Sequence, residues 1–188
     1  MRINRPRRTG VLLSVSLALL AGAAVGCRTS SFQVVSYKDP YFPEHYRTAL
    51  ADCAYRTDPS GDVHAVGRAT RATEQGTTRQ YLYVHMFWQP KPGKTPAEQS
   101  ATDATFRYVV ATDTGATTYA GTGFVFPQQR AGGHLEITIE SARLHLESQR
   151  GEVGDLLGDS RLTGTLIARR DPPAAAHLIR EAELSAAR

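Results

Sequence analysis

Residues 80–88 read Gln80-Tyr81-Leu82-Tyr83-Val84-His85-Met86-Phe87-Trp88. Apolar or aromatic side chains fall on both alternating faces of an extended chain here, the pattern of a central strand covered on each side. In such a strand His85 reads as a hydrogen-bonded core histidine, and Trp88, the only tryptophan, as core. The run stops at Gln89-Pro90-Lys91-Pro92-Gly93, and a polar loop rich in proline, threonine and alanine continues to about Ala104.

Working outward, the neighbouring segments are extended too. Upstream, Ala51–Thr57 and Val63–Ala72 flank Asp58-Pro59-Ser60-Gly61-Asp62, which favours a type I turn followed by a left-handed glycine. Downstream, Thr105–Thr112 and Thr117–Phe126 flank Asp113-Thr114-Gly115-Ala116, a second hairpin. From His134 to Glu147 the alternation changes phase: Leu135, Ile137 and Ile139 share one parity, whereas Ala142, Leu144 and Leu146 share the other. A strand that slips by one residue without losing its inner face needs a bulge, expected near Ser141. Gly151–Gly158 reads as a loop and Ser160–Arg169 as a last strand, with Gly164 a weak point or a site of close approach. Asp171-Pro172-Pro173 is an N-cap with proline in the first turn, and Ala175, Leu178, Ile179 and Ala182 follow at helical spacing. The expected fold is mainly β: an antiparallel β-sandwich or partly open barrel of roughly seven to eight strands, with one amphipathic helix at about 172–187.

The N-terminus carries a different signal. Arg2, Arg5, Arg7 and Arg8 precede an apolar run from Val11 to Leu20, and small residues lead to Cys27. The longer stretch from Val11 to Val25, interrupted by serine and glycine, is about fifteen residues, short of the roughly twenty that span a bilayer as a helix, so it reads as an export signal. Ala24-Val25-Gly26-Cys27 resembles the lipobox of bacterial lipoproteins, with Ala24 where that family most often has leucine. The resemblance implies cleavage before Cys27, a diacylglycerol on its thiol and residence in the cell envelope. Arg28 rather than aspartate after the cysteine implies the outer membrane where the cell has two. Arg7-Arg8 also resembles a twin-arginine signal, although Thr9-Gly10 continues it weakly, so both export routes stay open. The expected organisation is a signal at 1–26, a lipidated tether at 27–33 and one β-rich domain at 34–188.

Cleavage changes the charge argument. Of the 22 Lys+Arg, four precede Cys27, so the remainder balances the 18 Asp+Glu. A neutral domain gives no support to nucleic-acid binding. Lipidation of Cys27 leaves Cys53, whose alternation with Tyr55 points it inward as an inert thiol.

No segment carries a complete catalytic pattern. Gly158-Asp159-Ser160 resembles the start of the Gly-Asp-Ser-Leu motif of a family of serine esterases, which implies Ser160 as nucleophile. Arg161 replaces the leucine, the motif falls near the C-terminus, and Asp171 and His177 are six residues apart rather than three. The chain from Cys27 onward also lacks the asparagine that family uses as an oxyanion donor. His134-Leu135-Glu136 and His145-Leu146-Glu147 repeat a His-x-Glu spacing that sets imidazole and carboxylate on one strand face, but a solvated face explains both without a metal. No cofactor is expected. Tyr41, Phe42, His45 and Tyr46 cluster in a proline-braced segment that reads as an ordered loop or helical turn; such rings hold a sugar or protein partner, or plug one end of the fold. The function expected is a lipid-anchored envelope protein with a structural or a protein- or glycan-binding role and no catalysis. The alternatives are a small-ligand carrier with a barrel cavity lined by Tyr81, Tyr83, Phe87 and Phe124, and a hydrolase centred on Ser160.

Overall fold

The computed structural model describes residues 29–73, 76–87 and 102–187. The segment expected to be an export signal, Cys27, Trp88 and most of the polar loop after it lie outside the described residues. The strands are β1 Ser31–Ser36, β2 Glu44–Ala49, β3 Asp52–Thr57, β4 Val63–Thr73, β5 Gly76–Met86, β6 Thr102–Ala111, β7 Gly115–Arg130, β8 His134–Gly151 and β9 Ser160–Arg170, followed by helix α1 Pro172–Ala186. The chain is mainly β, as expected, with nine strands among the described residues rather than seven or eight.

All nine lie in one sheet of order β2-β1-β9-β3-β4-β5-β6-β7-β8, and β8 pairs back onto β9. The pairing is antiparallel except for a short parallel contact, Ala54 with Arg169 and Tyr55 with Arg170. Strand β9 thus has β8 on one edge and, on the other, β1 along Ser160–Thr165 and then β3. The sheet returns on itself as a partly open barrel with the β1–β2 hairpin flaring from β9.

The central-strand pattern of β5 is realised on both faces. Leu82, Val84 and Met86 enter the barrel core with Phe106, Tyr108, Val110, Ile137 and Leu166. On the outer face Tyr81 packs with Val109 and Ala182, and Tyr83 packs against the cluster of Val66, Ala175 and Leu178. Helix α1 is therefore the cover of the outer face, and its start is fixed by Asp171, whose carboxylate accepts from the Ala174 amide at 3.1 Å. The first hairpin turns at Gly61, φ 91°, the left-handed glycine expected there.

The bulge lies where the phase change puts it. Register shifts between Ile139 and Ala142 against β9, and opposite Phe124/Val125 against β7. Leu135, Ile137 and Ile139 before it and Ala142 and Leu144 after it are all buried, whereas Leu146 emerges at 38 % exposure. Cys53 is half-buried against the core, and burial disfavours its thiolate, pushing the thiol up to about 11 despite the opposing hydrogen bond from Ser30.

Three expectations change. Ser31–Gln33 belong to β1 rather than to a tether. His45 and Tyr46 lie in β2, not in a loop or helical turn. The free edge of β1 recruits that segment, and β2 is almost wholly exposed on both faces, so no alternation marks it in the sequence. Glu136 is buried rather than solvated, paired to Arg130 at 2.8 Å across the tight connection from β7.

Gly164 is the site of close approach anticipated from the sequence. A Cβ there would lie 2.5 Å from the Ser31 carbonyl oxygen and 2.6 Å from the Phe32 Cα, at φ +155°. Gly164→Ala is expected to lower unfolding stability by at least about 2 kcal/mol, through backbone strain and loss of the β1–β9 contact. Urea unfolding midpoints check this, and an unchanged midpoint would contradict the close approach.

Candidate functional site

The loop between β1 and β2 projects aromatic side chains into solvent. Asp39 shapes it: its carboxylate accepts from the Tyr41 amide at 2.9 Å and its carbonyl from the Phe42 amide at 3.3 Å. Pro40 and Pro43 brace the two rings between them, and Tyr41 is 85 % and Phe42 76 % exposed. They do not plug the barrel. The other two residues of the expected cluster separate onto opposite faces of β2. His45 meets the Gln33 amide at 2.7 Å, and the Tyr46 hydroxyl donates to Glu44, whose carboxylate raises the phenol's pKa. The aromatic tip is thus Tyr41 and Phe42, with Tyr37, 45 % exposed, at the base of the same loop.

Tyr37 also walls a groove of about 600 Å³ on the outer face, together with Arg143, His145, Asp159, Ser160 and Arg161. The bulge and the β8–β9 register create it. Arg143 stands directly opposite Arg161, flanked in the same row by Thr122 on β7 and Val35 on β1. One pair further along, Leu144 and Ser160 face each other with side chains directed inward. Among the described residues neither guanidinium has an ion-pair or hydrogen-bond partner. The groove edge is fixed from below. The buried Tyr119 hydroxyl donates to Asp155 at 2.8 Å and accepts from the Leu156 and Leu157 amides at 2.8 and 3.1 Å. Burial pushes the Tyr119 phenol well up. Although burial works against it, the Gly158 amide and the Tyr119 hydroxyl hold Asp155 below the usual carboxylate range. Lys38 ties the aromatic loop to the same segment by donating to the Asp155 carbonyl at 2.7 Å.

A second constellation escaped the sequence reading. His64 and His85 are cross-strand neighbours on β4 and β5, with rings stacked at 4.4 Å and 13°. His64 bonds the Tyr83 hydroxyl at 2.7 Å and approaches Asp58 at 3.4 Å, and His85 bonds Asp62 at 3.2 Å. His85 is hydrogen-bonded as expected, but it is not a core residue: its side chain is 21 % exposed and stacks on His64 outside the hydrophobic clusters. In outline, carboxylate, imidazole and phenol form an acid–base chain. With the His64 side chain only 12 % exposed, however, and burial raising the Tyr83 phenol, the chain serves to clamp the Asp58–Asp62 turn onto the barrel.

The remaining candidates are dispersed. Ser160 is buried and its Oγ has no hydrogen-bond partner, whereas Asp171 and His177 lie beyond the other end of β9, on the order of 30 Å away at about 3.3 Å per residue. His134 lies 3.3 Å from the Ala131 carbonyl, Glu136 binds Arg130, and Glu147 accepts from Arg107 at 2.9 and 3.0 Å. Among the described residues no group of three or more His, Cys, Asp or Glu is placed to hold a metal ion. The four residues expected to line a cavity do not share one: Tyr81 and Tyr83 lie toward the helix, Phe87 contacts the His85 ring, and Phe124 is 45 % exposed.

The histidine clamp gives stability a pH dependence. Burial lowers the His64 pKa, aided by His85 and Arg56 and opposed by Asp58. The unfolded chain then binds that proton more tightly, so stability is complete above the ordinary imidazole value of about 6.5 and falls as pH drops below it. Asp58 titrates elsewhere: the Ser60 hydroxyl, with His64 and the Asp62 amide, holds it at about 2, so its contribution is lost only as pH falls from the ordinary carboxylate range through that value. Thermal melts from pH 8 to 5 are expected to show Tm falling below neutrality in the parent and a shallower fall in His64→Gln. Equal slopes would remove His64 from the clamp.

Comparison with protein-family models, with curated proteins and with solved structures finds no match to this chain.

Proposed function

We propose that this chain is a lipid-anchored protein of the bacterial envelope that binds a glycan and performs no catalysis. The observation that carries the reading is the exposure of Tyr41 and Phe42 on a loop held in shape by Asp39 and two prolines. On a loop whose backbone is already ordered by Asp39 and two prolines little backbone freedom is left to lose, so stacking these rings against a sugar face costs little further ordering. Two rings offer on the order of 300–500 Å², well short of the roughly 800 Å² per partner of a stable protein interface. That arithmetic favours a glycan over a protein as the occupant.

The direction of β1 supports the same reading. A chain lipidated at Cys27 enters the barrel at Ser30, whose hydroxyl binds the Ile167 backbone, and the tip follows Ser36. At about 3.3 Å per residue, β1 separates the two by roughly 20 Å, so the tip faces away from the anchored end. A tether of three residues reaches at most about 10 Å. The barrel core is filled by side chains from the strands, which gives a carrier role no comparable support.

The anchor and the tip are tested separately. Intact mass and membrane partitioning are expected to show a chain beginning at Cys27 with acyl-sized added mass, both lost in Cys27→Ser; an unmodified, soluble parent would overturn the anchor. On an array of bacterial envelope glycans, the Tyr41→Ala/Phe42→Ala variant is expected to bind about tenfold or more weakly than the parent, each 1.4 kcal/mol of lost stacking being one decade. Undiminished binding by that variant would overturn the tip as the site.

A further inference from the structure

We propose that the groove between Arg143 and Arg161 is a subsite for an acidic sugar, a pyranose carrying a carboxylate or a phosphate. This rests on the glycan reading above and gives the ligand its charge. The first support is the register. Arg143 and Arg161 are directly opposed across an antiparallel pair, where Cα atoms are about 4.5–5.5 Å apart and like charges destabilise. Solvent is one way to tolerate such a pair; an oxyanion bridging both guanidiniums turns the repulsion into two charge-assisted contacts. Among the described residues no carboxylate supplies that bridge. Asp159 shares the groove and makes no ion pair with either arginine.

The second support is the company the pair keeps. Tyr37 lies just past the end of β1, two residues after Val35, and its amide donates to the carbonyl of Asp159, the residue just before β9 and two before Arg161, at 3.0 Å; Arg143 and His145 are two apart on β8, so these side chains share the outer face. An anion alone has no use for a carboxylate beside the arginines. A sugar does, because Asp159 accepts from ring hydroxyls while Tyr37 offers a stacking edge. At about 600 Å³ the groove falls in the size range of small-ligand sites. Tyr37 also begins the loop that carries Tyr41 and Phe42, so one saccharide chain could run from the groove onto the tip.

Binding is measured by calorimetry and thermal shift at matched ionic strength, on protein carrying Cys27→Ser to keep lipid out of the assay. The probes are glucuronate, glucose 6-phosphate, glucose and inorganic phosphate. Both acidic sugars are expected to bind at least tenfold more tightly than glucose and than inorganic phosphate, and to raise Tm by about 5 °C near saturation. A preference between the two acidic sugars identifies the anion. Arg143→Gln and Arg161→Gln are each expected to weaken acidic-sugar binding tenfold or more while melting, in chloride alone, no lower than the parent, because the opposed charges are gone. That second readout separates a lost site from a lost fold. Equal affinity for glucose and glucuronate, or unchanged binding by the arginine variants, would overturn the subsite while leaving the aromatic tip intact. Inorganic phosphate binding as tightly as glucose 6-phosphate would overturn its preference for sugar. If glycans bind the Tyr41→Ala/Phe42→Ala variant as well as the parent but require both arginines, the groove stands and the tip reading falls.

Discussion

One extra residue in β8 organises both the interior and the outer face of this barrel. The strand runs from His134 to Gly151, and side chains on a regular strand alternate with period two. Without the irregularity between Ile139 and Ala142, the second half of β8 would carry inverted parity. Ala142 and Leu144 would turn to solvent, and Arg143 would turn into a core lined by Ile137, Leu162 and Leu166. An unpaired guanidinium in that core costs several kcal/mol, so the bulge is specified against its absence. The same shift places Arg143 outward and level with Arg161. Core packing and the candidate groove are therefore two consequences of one backbone event.

Strand β9 is the second constraint, because three strands draw on its two edges. Pairing with β8 uses one edge from Ser160 to Arg169; the other is divided between β1 and β3. At the point of division the Ser30 hydroxyl donates to the Ile167 carbonyl and accepts from the Ile167 amide, at 3.2 and 2.9 Å. A side chain there completes backbone pairing that no strand supplies, which lets β1 end and β3 begin without leaving buried polar groups unpaired. The loop before β9 is held equally firmly by Tyr119 and Asp155. The groove walls consequently come from a rigid sheet and a pinned loop, a preorganised arrangement that reduces the ordering cost of any ligand.

Features written into local periodicity were legible in the sequence. The β8 phase change, the hairpin turns, the helix with its Asp171 cap and the doubly covered β5 all follow from residues within one element. What escaped depends on register between elements. A strand apolar on both faces does not say which face enters the barrel, so the sequence allows the alternative of one cavity lined by Tyr81, Tyr83, Phe87 and Phe124, although these side chains divide among different surroundings. The stacked His64 and His85 are 21 positions apart and meet only because β4 and β5 pair as they do. Arg143 and Arg161 sit in unremarkable contexts, and their opposition exists only once the barrel closes through β8 and β9. Strand β2 lacked a signal for a simpler reason: exposed on both faces, it has no apolar side to alternate. Glu136 reads as solvated because its neighbours Leu135 and Ile137 point inward, yet Arg130, two positions from its register partner Gln128 on β7, ion-pairs with it across the turn.

The polarity of β1 links these features to function. Its N-terminal end is fastened to β9 near Ile167 and its C-terminal end opens into the aromatic loop, so a load applied through the N-terminus is borne by the sheet rather than by the loop. If Cys27 carries lipid, the barrel is a spacer with a defined direction: membrane at one end, Tyr41 and Phe42 at the other. The groove lies on that far side as well, because Arg161 and Ser160 pair with Val35 and Ser36 at the end of β1. Two surfaces with complementary chemistry, one aromatic and one cationic, then meet at Tyr37. A ligand spanning both would gain from each through a single immobilisation, since the second contact forms at the effective concentration set by the first. The β1–β9 pairing fixes the span between them, and under the proposed glycan reading it is that span, rather than either contact alone, that would select one saccharide over another.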